Sequence, residues 1–125
     1  MTRLLVDTHV VLWWLADDPE LSATAREAIA DPANEPLVST ASVWEIAIKR
    51  ALGKVEAPDD LPETVVHEGF SWLPVGAAHA WQVQKLPMHH RDPFDRLLIA
   101  QALAEGLPIV TADARFREYA VDTRW

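Results

Sequence analysis

His90-Arg91-Asp92-Pro93-Phe94-Asp95-Arg96-Leu97-Leu98-Ile99-Ala100-Gln101-Ala102, continued by Leu103-Ala104-Glu105-Gly106-Leu107-Pro108-Ile109-Val110-Thr111-Ala112-Asp113, is the stretch whose reading decides the fold. Asp92 or Pro93 opens a helix that runs to Glu105. Gly106 stands at the C-terminal stop position and Pro108 lies just beyond it. Leu107 to Val110 then reads as a short buried strand, and Asp113 follows it after two intervening residues, Thr111 and Ala112. Within the helix Asp95 shares a face with Leu98, Ile99 and Ala102, at offsets of three, four and seven. An acid inside that stripe is not a solvated one.

The same alternation of strand and helix extends towards the N-terminus. Residues 3–6 form a short apolar strand that ends at Asp7, and Val10 to Leu15 an apolar helical segment. Asp17-Asp18-Pro19 is a turn signal, and Ser22 to Ala30 has helical composition. Pro36 to Ser39 is a second strand, and Thr40 to Leu52 a helix stopped at Gly53. Pro58 to Pro62 opens a further helix ending near Gly69. Phe70 to Val75 reads as a strand and Ala77 to Gln84 as a helix, and the chain closes with a short helix and a strand near Tyr119 to Asp122. This pattern predicts an α/β fold with a mainly parallel sheet, in one domain over residues 1–125.

In right-handed βαβ units each helix runs antiparallel to the strands, so its first turn lies at the strands' C-terminal edge. Open α/β sheets bind ligands at that edge. Asp7 and Asp113 are brought there by the strands they follow, and Glu45 and Asp95 by the helices they open. Four separate segments therefore point carboxylates at one rim. Glu45 has Ala41, Ile48 and Leu52 at helical offsets, which places it at the margin of an apolar face. Buried charge is costly unless it is paired or bound to metal, so the cluster predicts a divalent cation. Each acid also has an ordinary alternative. Glu45 completes a capping box Ser42-x-x-Glu45, Asp92 and Asp95 suit a helix N-terminus, and Asp7 and Asp113 are good helix caps.

Composition narrows the setting. The chain has 125 residues, half of them hydrophobic, which is enough for a real core. It has no cysteine, which removes disulfides, thiolate metal sites and thiol nucleophiles. No apolar run approaches a membrane span, and Met1-Thr2-Arg3 leads straight into a strand, so a cytoplasmic protein without a signal peptide is expected. The formal net charge of −8 argues against a general polyanion-binding surface. Basic residues nevertheless accompany the acids: Lys49, Arg50 and Lys54 after Glu45, Arg91 and Arg96 around Asp95, Arg115 and Arg117 after Asp113.

These segments together resemble the PIN-domain ribonucleases, specifically the VapC-like toxins of type II toxin–antitoxin pairs. The resemblance is carried by Leu4-Leu5-Val6-Asp7-Thr8-His9, by Ser39-Thr40-Ala41-Ser42-Val43-Trp44-Glu45-Ile46, and by the His90–Asp113 stretch, in that order over nearly the whole chain. It implies a three-layer α/β/α sandwich, a homodimer, an antitoxin partner, and RNA phosphodiester hydrolysis dependent on Mg²⁺ or Mn²⁺. In that family the catalytic and metal-holding acids correspond to Asp7, Glu45, Asp95 and Asp113. Thr111 matches a hydroxyl position beside the last acid, Asp92 is a supporting carboxylate, and His9 takes no carried-over role.

On that reading Asp7 and Asp95 are inner ligands, while Glu45 and Asp113 orient water or a second ion, and water attacks the phosphate in line. Lys49, Arg50 and Arg96 are the candidate contacts to the RNA backbone. Trp14 and Trp44 are expected in the core. Trp13, Trp81 and Trp125 are expected at a protein interface, or stacked on bases. His89-His90 is expected at the surface or at the start of the helix, because adjacent histidines point apart. A phosphoacceptor domain would need an acidic pair at the first strand and a lysine after a late one, and an Asp-x-Asp phosphatase a second acid in Asp7-Thr8-His9; this chain has neither. A PIN-like module that binds RNA or protein without cutting is the remaining alternative.

Overall fold

The computed structural model describes residues 2–125. Five strands make an all-parallel sheet in the order β3-β2-β1-β4-β5. They are β1 (Thr2–Val6), β2 (Asn34–Ser39), β3 (Ser71–Leu73), β4 (Ile109–Val110) and β5 (Thr123–Arg124). Six helices accompany them: α1 (Thr8–Leu15), α2 (Ala23–Ala30), α3 (Thr40–Ala51), α4 (Leu61–His67), α5 (Ala77–Gln82) and α6 (Pro93–Glu105). Single-turn 3₁₀ segments follow α5, at Val83–Lys85, and β4, at Ala114–Glu118.

Side chains alternate across a strand, so each buried strand feeds two cores. Leu4, Val6, Val38 and Val110 pack on one face with Val10 and Val11 of α1, Ala25 and Ile29 of α2, Ile46 of α3, and Leu61 and Val65 of α4. Leu5, Leu37, Leu73 and Ile109 pack on the other with Leu98, Ile99 and Ala102 of α6, and with Phe116 and Tyr119. These two cores are the α/β/α sandwich. The stripe expected on α6 is therefore its buried face.

Strand order sets the position of the site. From β1 the chain builds outward through β2 and β3, then crosses back to add β4 and β5 on the other side. The C-terminal ends of β1 and β4, paired through Val6 and Val110, thus flank a topological switch point, where a crevice opens. Helix α6 starts as read: Asp92 accepts the amide N–H groups of Phe94 and Asp95, Pro93 occupies the first turn, and Gly106 ends it with φ 66°. Gln101, fully buried, ties the layers together. It accepts a hydrogen bond from the Ser39 hydroxyl at 2.6 Å, and its amide nitrogen donates to the carbonyls of Leu73 and Pro74.

Several expectations are corrected. The last strand lies at Thr123–Arg124 and not at Tyr119 to Asp122, and the closing helix is a 3₁₀ turn. Trp44 is 62 % exposed, not core. Helix α3 buries Ala41, Ser42, Glu45 and Ile46, whereas Ile48 and Leu52 face solvent. Glu45 is therefore central to the buried face of α3 and not at its margin. The apolar offsets misled because Trp44, Ile48 and Leu52 form a second stripe, on the solvent side.

Gln101→Leu is expected to lower the unfolding free energy by about 1–3 kcal/mol, because the carbonyls of Leu73 and Pro74 lose a buried donor. A urea midpoint equal to the parent's would contradict this role.

Candidate active site

Asp7 directly follows β1, and its amide N–H is bonded to the Val110 carbonyl of β4 at 3.0 Å. Although it occupies the N-cap position of α1, its side chain makes no capping bond. The Thr111 hydroxyl donates to Asp7 Oδ2 at 2.8 Å and accepts the Asp113 amide N–H at 3.0 Å, which joins both strand ends through one side chain. Asp7 Oδ1 is buried without a partner. Burial raises the Asp7 carboxyl above its usual range, opposed by the Thr111 hydrogen bond.

Glu45 is 1 % exposed. Its Oε2 accepts from Lys49 Nζ at 2.6 Å, and that bond holds Lys49 above its ordinary range and so cationic. Its Oε1, like Asp7 Oδ1, is buried and unpartnered. Ser42 does not form the capping box, since Ser39 caps α3; the Ser42 hydroxyl instead accepts from Thr8 at 2.8 Å. Two orphaned carboxylate oxygens in one buried region are the strongest sign that a cation belongs there. Oxygen ligands of this kind suit a hard divalent ion.

Asp95 and Asp113 converge from α6 and from the loop after β4, and the residue between them is His90. Its Nε2 lies 2.9 Å from Asp95 Oδ2 and 3.1 Å from Asp113 Oδ2. Ligand atoms of His90, Asp95 and Asp113 all lie within 4.8 Å of one another. Asp7 and Glu45 fall outside that tight trio but inside its electrostatic reach. Burial first, then the charges of Asp7, Asp92, Glu45 and Asp113, push Asp95 up to about 8. Asp113 moves the other way. Burial would raise it, but hydrogen bonds from Arg115 and from His90 hold it at about 2.

Asp7, Asp92, Asp95 and Asp113 line a cleft of about 420 Å³, with His9, Trp13, His90, Ala112 and Arg115 around them. Trp13 packs against His9 and Trp125, with ring centroids 6.2 and 5.7 Å apart. Of the expected acids, the structure brings Asp7, Asp95 and Asp113 to the cleft with Asp92, leaves Glu45 buried behind it and outside its lining, adds His90 and Arg115, and redirects the expected RNA contacts. Lys49 is taken up by its ion pair with Glu45. Arg50 pairs with Asp59 and the Ala57 carbonyl. Arg96 is buried, with its guanidinium donating to the carbonyls of Val83, Leu86, Pro87 and His90. It has no free face for a phosphate. His90 escaped the sequence reading because only one histidine of the adjacent pair turns inward. Its spacing two residues before the capping Asp92 was the available signal.

A PIN domain family model matches residues 4–122. The chain is also 35 % identical over 130 aligned positions to ribonuclease VapC22 of Mycobacterium tuberculosis, covering 95 % of this chain and 93 % of that protein. This chain belongs to the PIN-domain family. Its fold matches the DNA-bound VapBC2 structure of Rickettsia felis with a TM-score of 0.72 at 12 % identity, covering 98 % of this chain and 97 % of the other. The DNA-bound VapBC structure of Salmonella typhimurium matches with a TM-score of 0.69 at 19 % identity, with the same coverage. This PIN domain is a VapC-like ribonuclease homologue, and among its described residues no helix is long and apolar enough to cross a membrane.

The raised Asp95 sets a pH dependence. A carboxyl whose folded pKa, about 8, exceeds its unfolded value, 3.8, binds more protons in the native state. Its contribution to stability is complete below pH 3.8 and is lost as the pH rises through 8. The melting temperature of metal-free protein is therefore expected to fall between pH 5.5 and 8.5. Asp95→Asn should flatten that slope, and added Mn²⁺ should stabilise more at pH 8 than at pH 6. A slope unchanged in Asp95→Asn, followed by scanning calorimetry, would refute the assignment.

Proposed function

We propose that this PIN domain is a divalent-metal-dependent endoribonuclease, with Mg²⁺ or Mn²⁺ held by Asp7, Glu45, Asp95 and Asp113, and that it acts as the toxin of a toxin–antitoxin pair. The observation that carries the reading is the pair of buried, unpartnered oxygens, Asp7 Oδ1 and Glu45 Oε1, beside the Asp95–Asp113 pair. A bound divalent ion would supply Lewis acidity and neutralise charge on the scissile phosphate. The protein's residues do the rest. Thr111 fixes the Asp7 carboxylate, Lys49 fixes Glu45, and Asp92 anchors the first turn of α6 so that Asp95 faces the cleft. Arg115, on the rim, is the cation placed to meet an RNA phosphate, and Trp13 offers an aromatic wall to a neighbouring base. Water attacks the phosphorus in line, and the carboxylates orient it.

A protein partner is part of the proposal. Trp44, Ile48 and Leu52 leave an apolar stripe exposed along α3, and such faces mark interaction surfaces. An antitoxin segment carrying arginine would suit the acidic cleft beside it. We further propose a homodimer and one domain over residues 1–125.

Asp7→Asn is expected to abolish Mn²⁺- or Mg²⁺-dependent cleavage of RNA, with a melting temperature equal to the parent's or slightly higher, since crowded charge is removed. Cleavage at the parental rate, measured on end-labelled RNA, would dismiss the site. Parental protein that binds RNA but leaves it whole at every divalent concentration would favour the non-cutting module.

A further inference from the structure

His90 is held on every side. Its backbone N–H donates to the Tyr119 hydroxyl at 2.9 Å, and that hydroxyl donates to the Pro87 carbonyl at 2.7 Å. Its carbonyl accepts from the buried Arg96 at 3.4 Å. The ring meets Phe116 edge-on, centroids 5.7 Å apart at 78°, and the residue is 2 % exposed. So many fixed contacts leave the imidazole a single orientation.

They also leave it one tautomer. Nδ1 accepts the Asp92 amide N–H at 3.2 Å, so it carries no proton, and the ring's N–H is at Nε2. That N–H lies between Asp95 Oδ2 and Asp113 Oδ2. Direct ligation of an ion by Nε2 would move the proton to Nδ1. Two N–H groups would then face each other, and the Asp92 amide, at the cap of α6, would lose its acceptor.

We propose that His90 is a positioning residue, whose Nε2–H bridges Asp95 and Asp113 and fixes the pair's orientation toward the divalent ion without itself being a ligand. The inference rests on the divalent-nuclease reading above. The two acids come from different segments and repel each other, and Arg115 holds only Asp113. The bridging N–H is what gives the pair one spacing before an ion arrives. Residues that orient ligands in this way typically change metal affinity by 10–100-fold when lost.

The test uses the full chain, with Mn²⁺ as the probe. Calorimetry should show His90→Leu binding Mn²⁺ about 10–100-fold more weakly. His90→Gln, whose amide N–H reaches close to the Nε2 position, should recover most of that affinity. Melting curves of the metal-free variants show whether each is folded. Pulsed EPR of the Mn²⁺-loaded parent and of His90→Gln should show no histidine nitrogen coupling that is present in the first and lost in the second. Such a coupling would make His90 a ligand and overturn the proposal. Parental affinity in folded His90→Leu would reduce the ring to packing against Phe116 and also overturn it. Parental protein that takes up no Mn²⁺ would remove the divalent reading itself, and this proposal with it. The two failures are therefore told apart by the parent's own titration.

Discussion

Crowded negative charge at the C-terminal edge of the sheet is the constraint to which the rest of the structure answers. Asp7, Asp92, Asp95 and Asp113 line one crevice, Glu45 acts on Asp95 from beside it by its charge, and Asp7 and Glu45 are almost wholly buried. Each carboxylate needs something to offset its field. Asp7 has the Thr111 hydroxyl, Glu45 has Lys49, Asp92 has two amide N–H groups, and Asp113 has Arg115 and His90. The fold around them, from the switch point to the cap of α6, is arranged to deliver those partners.

Much of this was legible before any coordinates. Strand ends and helix starts locate residues at an edge without needing exact boundaries, so the four acids could be assigned to one rim, while Thr111 came only from the family resemblance. Helix α6 was readable from end to end because Asp92, Pro93 and Gly106 each act through local backbone chemistry. The rest depends on direction, which residue type does not encode. Arg96 looked like an RNA contact because it is a charge near Asp95, yet its guanidinium turns inward and gathers the carbonyls of residues 83–90. Trp44 looked like core because it lies on an apolar stripe, and α3 has two such stripes. Periodicity alone does not choose between them.

Arg96 and His90 belong to one device. Residues Val83 to His90 have little regular structure, and an irregular segment over a core needs its carbonyls satisfied. Arg96 provides that from the first turns of α6, and Tyr119 provides it from the opposite side through the amides of His89 and His90 and the Pro87 carbonyl. The segment is thereby pinned with His90 facing the acids. A residue that seemed to belong to substrate binding is instead what makes the site's geometry reproducible.

The pairing pattern also places the unmet charge. Glu45 and Asp113 each have a lysine or arginine against them, whereas Asp95 has neither among the described residues; its close partner is the His90 ring. Asp95 is also the group on which the fields of Asp7, Asp92, Glu45 and Asp113 converge. Electrostatic demand for a cation is therefore greatest around Asp95, towards the orphaned oxygens of Asp7 and Glu45. On the proposed reading, a divalent ion there would offset much of that negative charge. In a chain of net charge −8, attraction for a phosphate would then come from the loaded site and not from the general surface.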